Sequence, residues 1–189
     1  MDLEATIYRI GDADRIVYVN GAWDEFAMEN SSPEAASAKV LNRVIWDFLA
    51  DPTVESIYRN ILERVRDGNH ASFVFRCDAP ERMRRLRMSI SPMPGGLVEF
   101  RTDMIETAPR PSIPLLNVDA ARPSELLVAC GWCSKIRINE RWLEVENAVN
   151  NLLLFDRMAV PRLSHGICDL CYDEMIGDLI YRKPVPARG

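Results

Sequence analysis

Residues 73–101, FVFRCDAPERMRRLRMSISPMPGGLVEFR, decide the fold of this chain. Phe73, Phe75 and Cys77 alternate with Val74 and Arg76, and Leu86, Met88 and Ile90 alternate with Arg85, Arg87 and Ser89. A period of two puts successive side chains on opposite faces of a strand. The turn Met93-Pro94-Gly95-Gly96 leads to a third run, Leu97-Val98-Glu99-Phe100-Arg101. The reading is three antiparallel strands joined by short turns.

Upstream the period lengthens. Asp51-Pro52 is a helix cap with proline at the first helical position, and Val54, Ile57, Tyr58, Ile61, Leu62 and Val65 then recur every three or four residues until Asp67-Gly68. Before it lie an apolar turn, Val44-Ile45-Trp46 with Phe48-Leu49, and a short helix carrying Trp23, Phe26 and Ala27 between Asn20-Gly21 and Asn30-Ser31-Ser32-Pro33. Residues 6–10 and 15–19 form a hairpin around Gly11-Asp12-Ala13-Asp14. The sum is an α+β fold, with a five-stranded antiparallel sheet and its helices grouped on one side.

These residues resemble the PAS domain family. The likeness lies in Asp14-Arg15-Ile16-Val17-Tyr18-Val19-Asn20 leading into Trp23, in the Trp46-Asp47-Phe48 turn and in the closing strands, and it covers roughly residues 4–104. It implies a sensory domain over residues 1–106 that encloses a small pocket for haem, flavin, an organic ligand or nothing. Trp23, Phe26, Trp46, Phe48, Tyr58, Phe73 and Phe75 are the candidate lining; at these spacings aromatic residues more often form plain core. No Asn-Cys-Arg-type motif for a flavin adduct occurs, and His70, the one histidine of this half, falls at an exposed helix-to-strand turn unsuited to haem ligation. Cys77 reads as a small packing residue. Arg82, Arg84, Arg85 and Arg87 read as a solvated sheet face, with an anion or acidic-partner site as the alternative.

Residues 107–123 hold four of the twelve prolines and no sustained periodicity, the pattern of a linker. Residues 124–189 then form a small, mostly helical module. An apolar lead, Leu126-Leu127-Val128-Ala129, precedes one cysteine pair, and a helix from about Glu140 to Phe155 carries Trp142, Val145, Val149, Leu152 and Leu153. Pro161 and Gly166 bracket a loop with the second pair. Tyr172, Met175, Ile176, Leu179 and Ile180 make a last helix, and the tail frays from Pro184.

Cys130-Gly131-Trp132-Cys133 and Cys168-Asp169-Leu170-Cys171 carry the chemistry. Two C-x2-C turns supply four thiolates, enough to close a tetrahedral structural site around zinc. Iron in the same four thiolates is chemically open. A module this small has too little core to stand unaided, and a structural metal supplies what is missing. Cys130 and Cys133 alone can also be read as a redox pair, although residues 124–130 suggest no βαβ unit. His165, three residues before Cys168, offers a ligand in place of one thiolate; with four cysteines already satisfying a tetrahedral ion, it reads as outer support, donating to a carbonyl or a cysteine sulfur. Gly166 is expected at positive φ before the second turn.

The segment Cys130-Gly131-Trp132-Cys133-Ser134-Lys135-Ile136-Arg137, then Trp142, then His165-Gly166-Ile167-Cys168-Asp169-Leu170-Cys171, is similar to the cysteine-rich C-terminal segment that follows PAS or receiver domains in some bacterial signalling proteins. That likeness covers about residues 126–182 and implies a bacterial regulatory protein with an appended metal-binding module.

The net charge of −5, with no positive excess in either half, argues against nucleic acid as a partner. No membrane span or basic-apolar leader is visible, so a cytoplasmic address is expected. No kinase phosphoacceptor, GGDEF-type sequence, helix-turn-helix, P-loop or Ser/His/Asp constellation occurs. The expectation is a non-catalytic sensor or adaptor that signals by contact with a protein partner, a homodimer being compatible with it. The alternatives are a thiol and metal redox sensor that releases zinc on oxidation, and a thiol oxidoreductase using Cys130 and Cys133.

Overall fold

The computed structural model describes residues 4–30, 32–49, 51–117, 120–122, 125–156 and 159–181. The fold is α+β. The chain opens with β1 (Thr6–Ile10) and β2 (Ile16–Val19), and then come α1 (Gly21–Glu29), α2 (Ser37–Val40) and α3 (Pro52–Arg66). Three strands follow, β3 (Ala71–Arg76), β4 (Arg82–Pro92) and β5 (Val98–Pro109). They form one five-stranded sheet in the order β2-β1-β5-β4-β3, in which β1 lies antiparallel to β5 from Thr6↔Thr102 to Ile10↔Val98.

Local chemistry accounts for these elements. Asp51 caps α3 by accepting from the N–H groups of Thr53 and Val54, and Val54, Ile57, Ile61, Leu62 and Val65 are buried along its apolar face. On β4, Leu86, Met88 and Ile90 are buried while Arg85 and Arg87 face water. Arg84 departs from the expected solvated arginine face. It is buried beside Cys77, with its N–H on the Asp78 carboxylate at 3.1 Å. Asn20, before α1, does not cap the helix; its amide bridges the Ile7 N–H and the Ala5 carbonyl.

The cysteine-rich half departs from a mostly helical module. Its core element is a second sheet, β8-β7-β6-β9, made of β6 (Leu126–Cys130), β7 (Ile136–Ile138), β8 (Arg141–Leu143) and β9 (Arg162–Gly166). The helix expected over 140–155 is α4 (Val145–Asn151), preceded by β8 and followed by a 3-10 turn. Asn139 and Glu140 both have positive φ and make the two-residue turn of the β7–β8 hairpin, with Ile138 opposite Arg141. Trp142 therefore lies on a strand, opposite Arg137. The last helix is α5 (Asp169–Tyr181); the expected fraying from Pro184 lies outside the described residues.

The chain divides into two compact units that do not follow the spans 1–106 and 124–189: residues 1–73, 87–103 and 172–189 form one, and residues 74–86 and 104–171 the other. The proline-rich segment 107–123 is not bare linker, because β5 runs to Pro109, and Ile113 and Leu115 are fully buried in the core of the second unit. Ala129, Ile136, Val145, Ala148, Val149, Leu154 and Val160 complete that core. No helix among the described residues is long and apolar enough to cross a membrane.

In the first unit Tyr8 stacks on Phe100 with centroids 4.4 Å apart and meets the edge of Trp23 at 5.4 Å. Burial pushes Tyr58 up to about 12, and it raises Tyr8 well above the usual phenol range, helped by the nearby Tyr58. The folded state thus keeps phenolic protons that the unfolded chain releases. Stability is full below about pH 10 and falls as pH rises toward 12, by about 3 kcal/mol for Tyr58 at about 1.4 kcal/mol per unit. Chemical unfolding followed from pH 8 to 12 is expected to show a shallower alkaline loss for Tyr58→Phe than for wild type; identical slopes would contradict this assignment.

Candidate metal centre

The two cysteine pairs are 34 residues apart in sequence, and one feature of the second sheet brings them together. β6 and β9 are adjacent and parallel, from Leu126↔Arg162 to Cys130↔Gly166. The first pair begins at the last residue of β6 and the second follows β9, so both lie at the C-terminal ends of these two strands. A parallel pair needs a crossover, and the connection here runs through the β7–β8 hairpin and α4. Residues 124–130 supply only β6, whose chain neighbour β7 is antiparallel to it, and the parallel partner β9 lies over thirty residues downstream.

The first turn closes the β6–β7 hairpin. The N–H of Cys130 donates to the Lys135 carbonyl at 2.8 Å, and that of Ser134 donates to the Cys130 carbonyl at 2.9 Å. In the second turn Cys168 stands just before α5 and Cys171 in its first turn, where the positive end of the helix favours thiolate. The turns are stitched together by the Gly131 N–H on the Gly166 carbonyl at 2.9 Å and the Cys168 N–H on the Cys130 sulfur at 3.4 Å. Gly166 belongs to β9 and is not among the positive-φ glycines, contrary to expectation. The left-handed position is Ser134, at φ 60°. A serine there costs about 1 kcal/mol that glycine avoids. Ser134→Gly is expected to stabilise the turn by about 0.5 kcal/mol after the greater freedom of the unfolded chain is counted; an unchanged or lowered unfolding midpoint would contradict this.

The Sγ atoms of Cys130, Cys133, Cys168 and Cys171 all lie within 4.8 Å of one another, and those of Cys133 and Cys168 are 3.7 Å apart. A tetrahedral ion with metal–sulfur bonds of about 2.3 Å has sulfur–sulfur edges of about 3.8 Å. The donor set therefore fits one four-coordinate thiophilic ion and leaves no open position. Cys130 and Cys168 are buried; Cys133 and Cys171 are half-buried.

The electrostatics agree. Cys130 is pushed down to about 5, first by the Cys133 thiol and then by the N–H groups of Cys133, Cys168 and Trp132. Cys133 is pushed up, first by its bond to Cys130 and then by burial. Cys171 is pushed up to about 12 by burial, its bond to Cys168 and the negative charge of Cys130. Four thiolates this close repel one another, and a central dication is what permits all four to ionise.

The other candidates fall elsewhere. His165 is on β9 opposite Ala129, exposed and outside the four-sulfur cluster. Cys77 lies just beyond β3 with its thiol raised by burial, also outside the cluster. His70 is exposed, with Nδ1 3.0 Å from Ser91 Oγ. Of the seven aromatic candidates, Phe26 is half-buried on α1. Tyr58 and Phe73 meet edge to face at 6.2 Å, Trp23 donates to the Ala35 carbonyl at 2.6 Å, and Trp46 donates to Asp14 at 2.8 Å under the Arg59 guanidinium. Phe48 is exposed beneath Arg43, and Phe75 belongs to the second unit.

Sequence reading missed an ion-pair cluster in the second unit. Asp78, with its side chain 1% exposed, binds both Arg76 and Arg110, the latter at 3.0 Å. Arg76 also reaches Glu144 at 2.9 Å, and Arg110 reaches Glu146 at 3.0 Å. Only the unusual density of charge around residues 76–84 hinted at it.

No protein-family model matches the chain, and no curated protein matches it in sequence.

Proposed function

We propose that this is a non-catalytic sensory or adaptor protein of bacterial signal transduction, with a PAS-like first half and a second half held by one structural zinc ion on Cys130, Cys133, Cys168 and Cys171. The observation that carries the metal reading is the four-sulfur cluster with its 3.7 Å edge. The five-stranded antiparallel sheet, whose helices all fall between its second and third strands, supports the PAS-like reading. A closed thiolate set stabilises a fold and presents a surface, which suits a cytoplasmic protein that acts by contact with a signalling partner.

Metal analysis of protein purified under reducing conditions is expected to find one zinc per chain and no absorbance in the visible. Red or yellow protein would indicate iron, haem or flavin instead. Metal-free protein with an ordered second unit would refute the reading.

A second reading, the redox sensor, is favoured by the partial exposure of Cys133 and Cys171, which leaves two of the four sulfurs within reach of peroxide. It requires zinc release by mild peroxide and recapture after reduction. Full retention at doses that modify thiols would eliminate it.

A further inference from the structure

The first cysteine turn makes a contact that metal ligation alone does not require. The carbonyl of Trp132, between the two cysteines of the pair, accepts the N–H of Arg76 at 2.7 Å. Arg76 ends β3, which is an edge strand of its sheet. Edge strands carry backbone groups with no strand to bond, and here one of those groups is taken up by the cysteine turn. Trp132 is itself buried, 6% exposed.

The Arg76 side chain holds the same turn from another direction. Its guanidinium pairs with Asp78 and Glu144, and the other oxygen of Glu144 lies 3.7 Å from the Lys135 ammonium. Lys135 is two residues past Cys133, and its carbonyl accepts the Cys130 N–H. Residues 132 and 135 are therefore both tied to Arg76, one directly and one through Glu144.

We infer that Arg76 is a positioning residue of the metal centre, 54 residues upstream of Cys130, and that metal binding and the order of the β3 end are thermodynamically linked. Coupling of this kind is reciprocal: whatever holds the turn ready for metal is itself held by metal. This inference rests on the metal-site reading above. Loss of a group bonded directly to a metal ligand ordinarily weakens binding 10- to 100-fold, and Arg76, which acts on the turn between two ligands, is placed at the low end of that range.

The test uses the full chain and a zinc competition titration against a chromophoric chelator. Arg76→Met keeps the backbone N–H and the aliphatic stem and removes the guanidinium. Its zinc affinity is expected to fall about tenfold at unchanged stoichiometry, with a shifted absorption spectrum of the cobalt(II) form. Arg76→Lys is expected to recover most of the loss, and adding Glu144→Gln to Arg76→Met to cost little more than Arg76→Met alone. Arg85→Met, which removes an exposed ion pair with Glu106 in the same unit, is expected to leave affinity unchanged. In wild type, stripping the metal is expected to speed hydrogen exchange of the Arg76 amide at least tenfold. An Arg76→Met affinity within twofold of wild type, or an Arg76 amide indifferent to metal, would overturn the inference while leaving the zinc site standing. Wild-type protein that binds no metal would overturn the site itself and the inference with it.

Discussion

Replacing Cys168 and Cys171 together with serine is expected to reduce zinc from one ion per chain to none and to unfold the second unit. A serine hydroxyl does not ionise at neutral pH, so two of four anionic donors disappear, and two thiolates do not close a tetrahedral site. Binding by four thiolates is worth on the order of 10 kcal/mol or more in small zinc modules. The core it supports is small, with Ile113, Leu115, Ile136, Val149 and Leu154 among the nine described residues buried in it. The readouts are metal content and hydrogen exchange in β6 and β9, where amide protection should collapse. A chelator acting on wild type should give the same result without any substitution. Amides of β6 and β9 that stay protected after complete metal loss would show that the sheet stands on its own packing.

Asp78→Ala is expected to destabilise the second unit by about 3 to 5 kcal/mol, the usual cost of removing one partner from a buried charge cluster. The carboxylate is withdrawn from water, and it accepts from two guanidiniums and from the Arg84 N–H. Its loss leaves Arg110, with a side chain 7% exposed, facing Arg76 without the anion that separated them. Glu144 and Glu146 are each 44% exposed and compensate only in part. Asp78→Asn keeps the shape and the bond from Arg84 while removing the charge, and should fall between wild type and alanine. Urea unfolding monitored by the emission of Trp132 and Trp142, in a background carrying Trp23→Phe and Trp46→Phe, measures the difference. A loss under about 1 kcal/mol would mean that the guanidiniums are solvated well enough to manage without Asp78.

The first half of the fold was largely legible because its signals are local. Alternation over Leu86, Met88 and Ile90, the Asp51-Pro52 cap and the three-and-four spacing of α3 each follow from the geometry of one element and its buried face. The second half misled where local signals conflicted. Trp142, Val145, Val149 and Leu152 mimic a helical stripe, yet Asn139-Glu140 turns the chain as a hairpin. Glycine at the second turn position would have announced that hairpin; glutamate there conceals it.

The sequence by itself determined the four metal-ligand candidates, because two C-x2-C turns are a local chemical statement about thiolate spacing, and it determined the strands and helices whose periodicity is contained within a few residues. Only the tertiary structure decided that the two turns meet, because their approach depends on the parallel pairing of β6 with β9, a contact between residues over thirty apart that no local pattern encodes. It alone also joined Arg76 to Trp132 and gathered Arg76, Asp78, Arg110 and Glu144 into one cluster. Charge partners are chosen by proximity in space, and a charged residue reads the same in sequence whether it faces water or another charge.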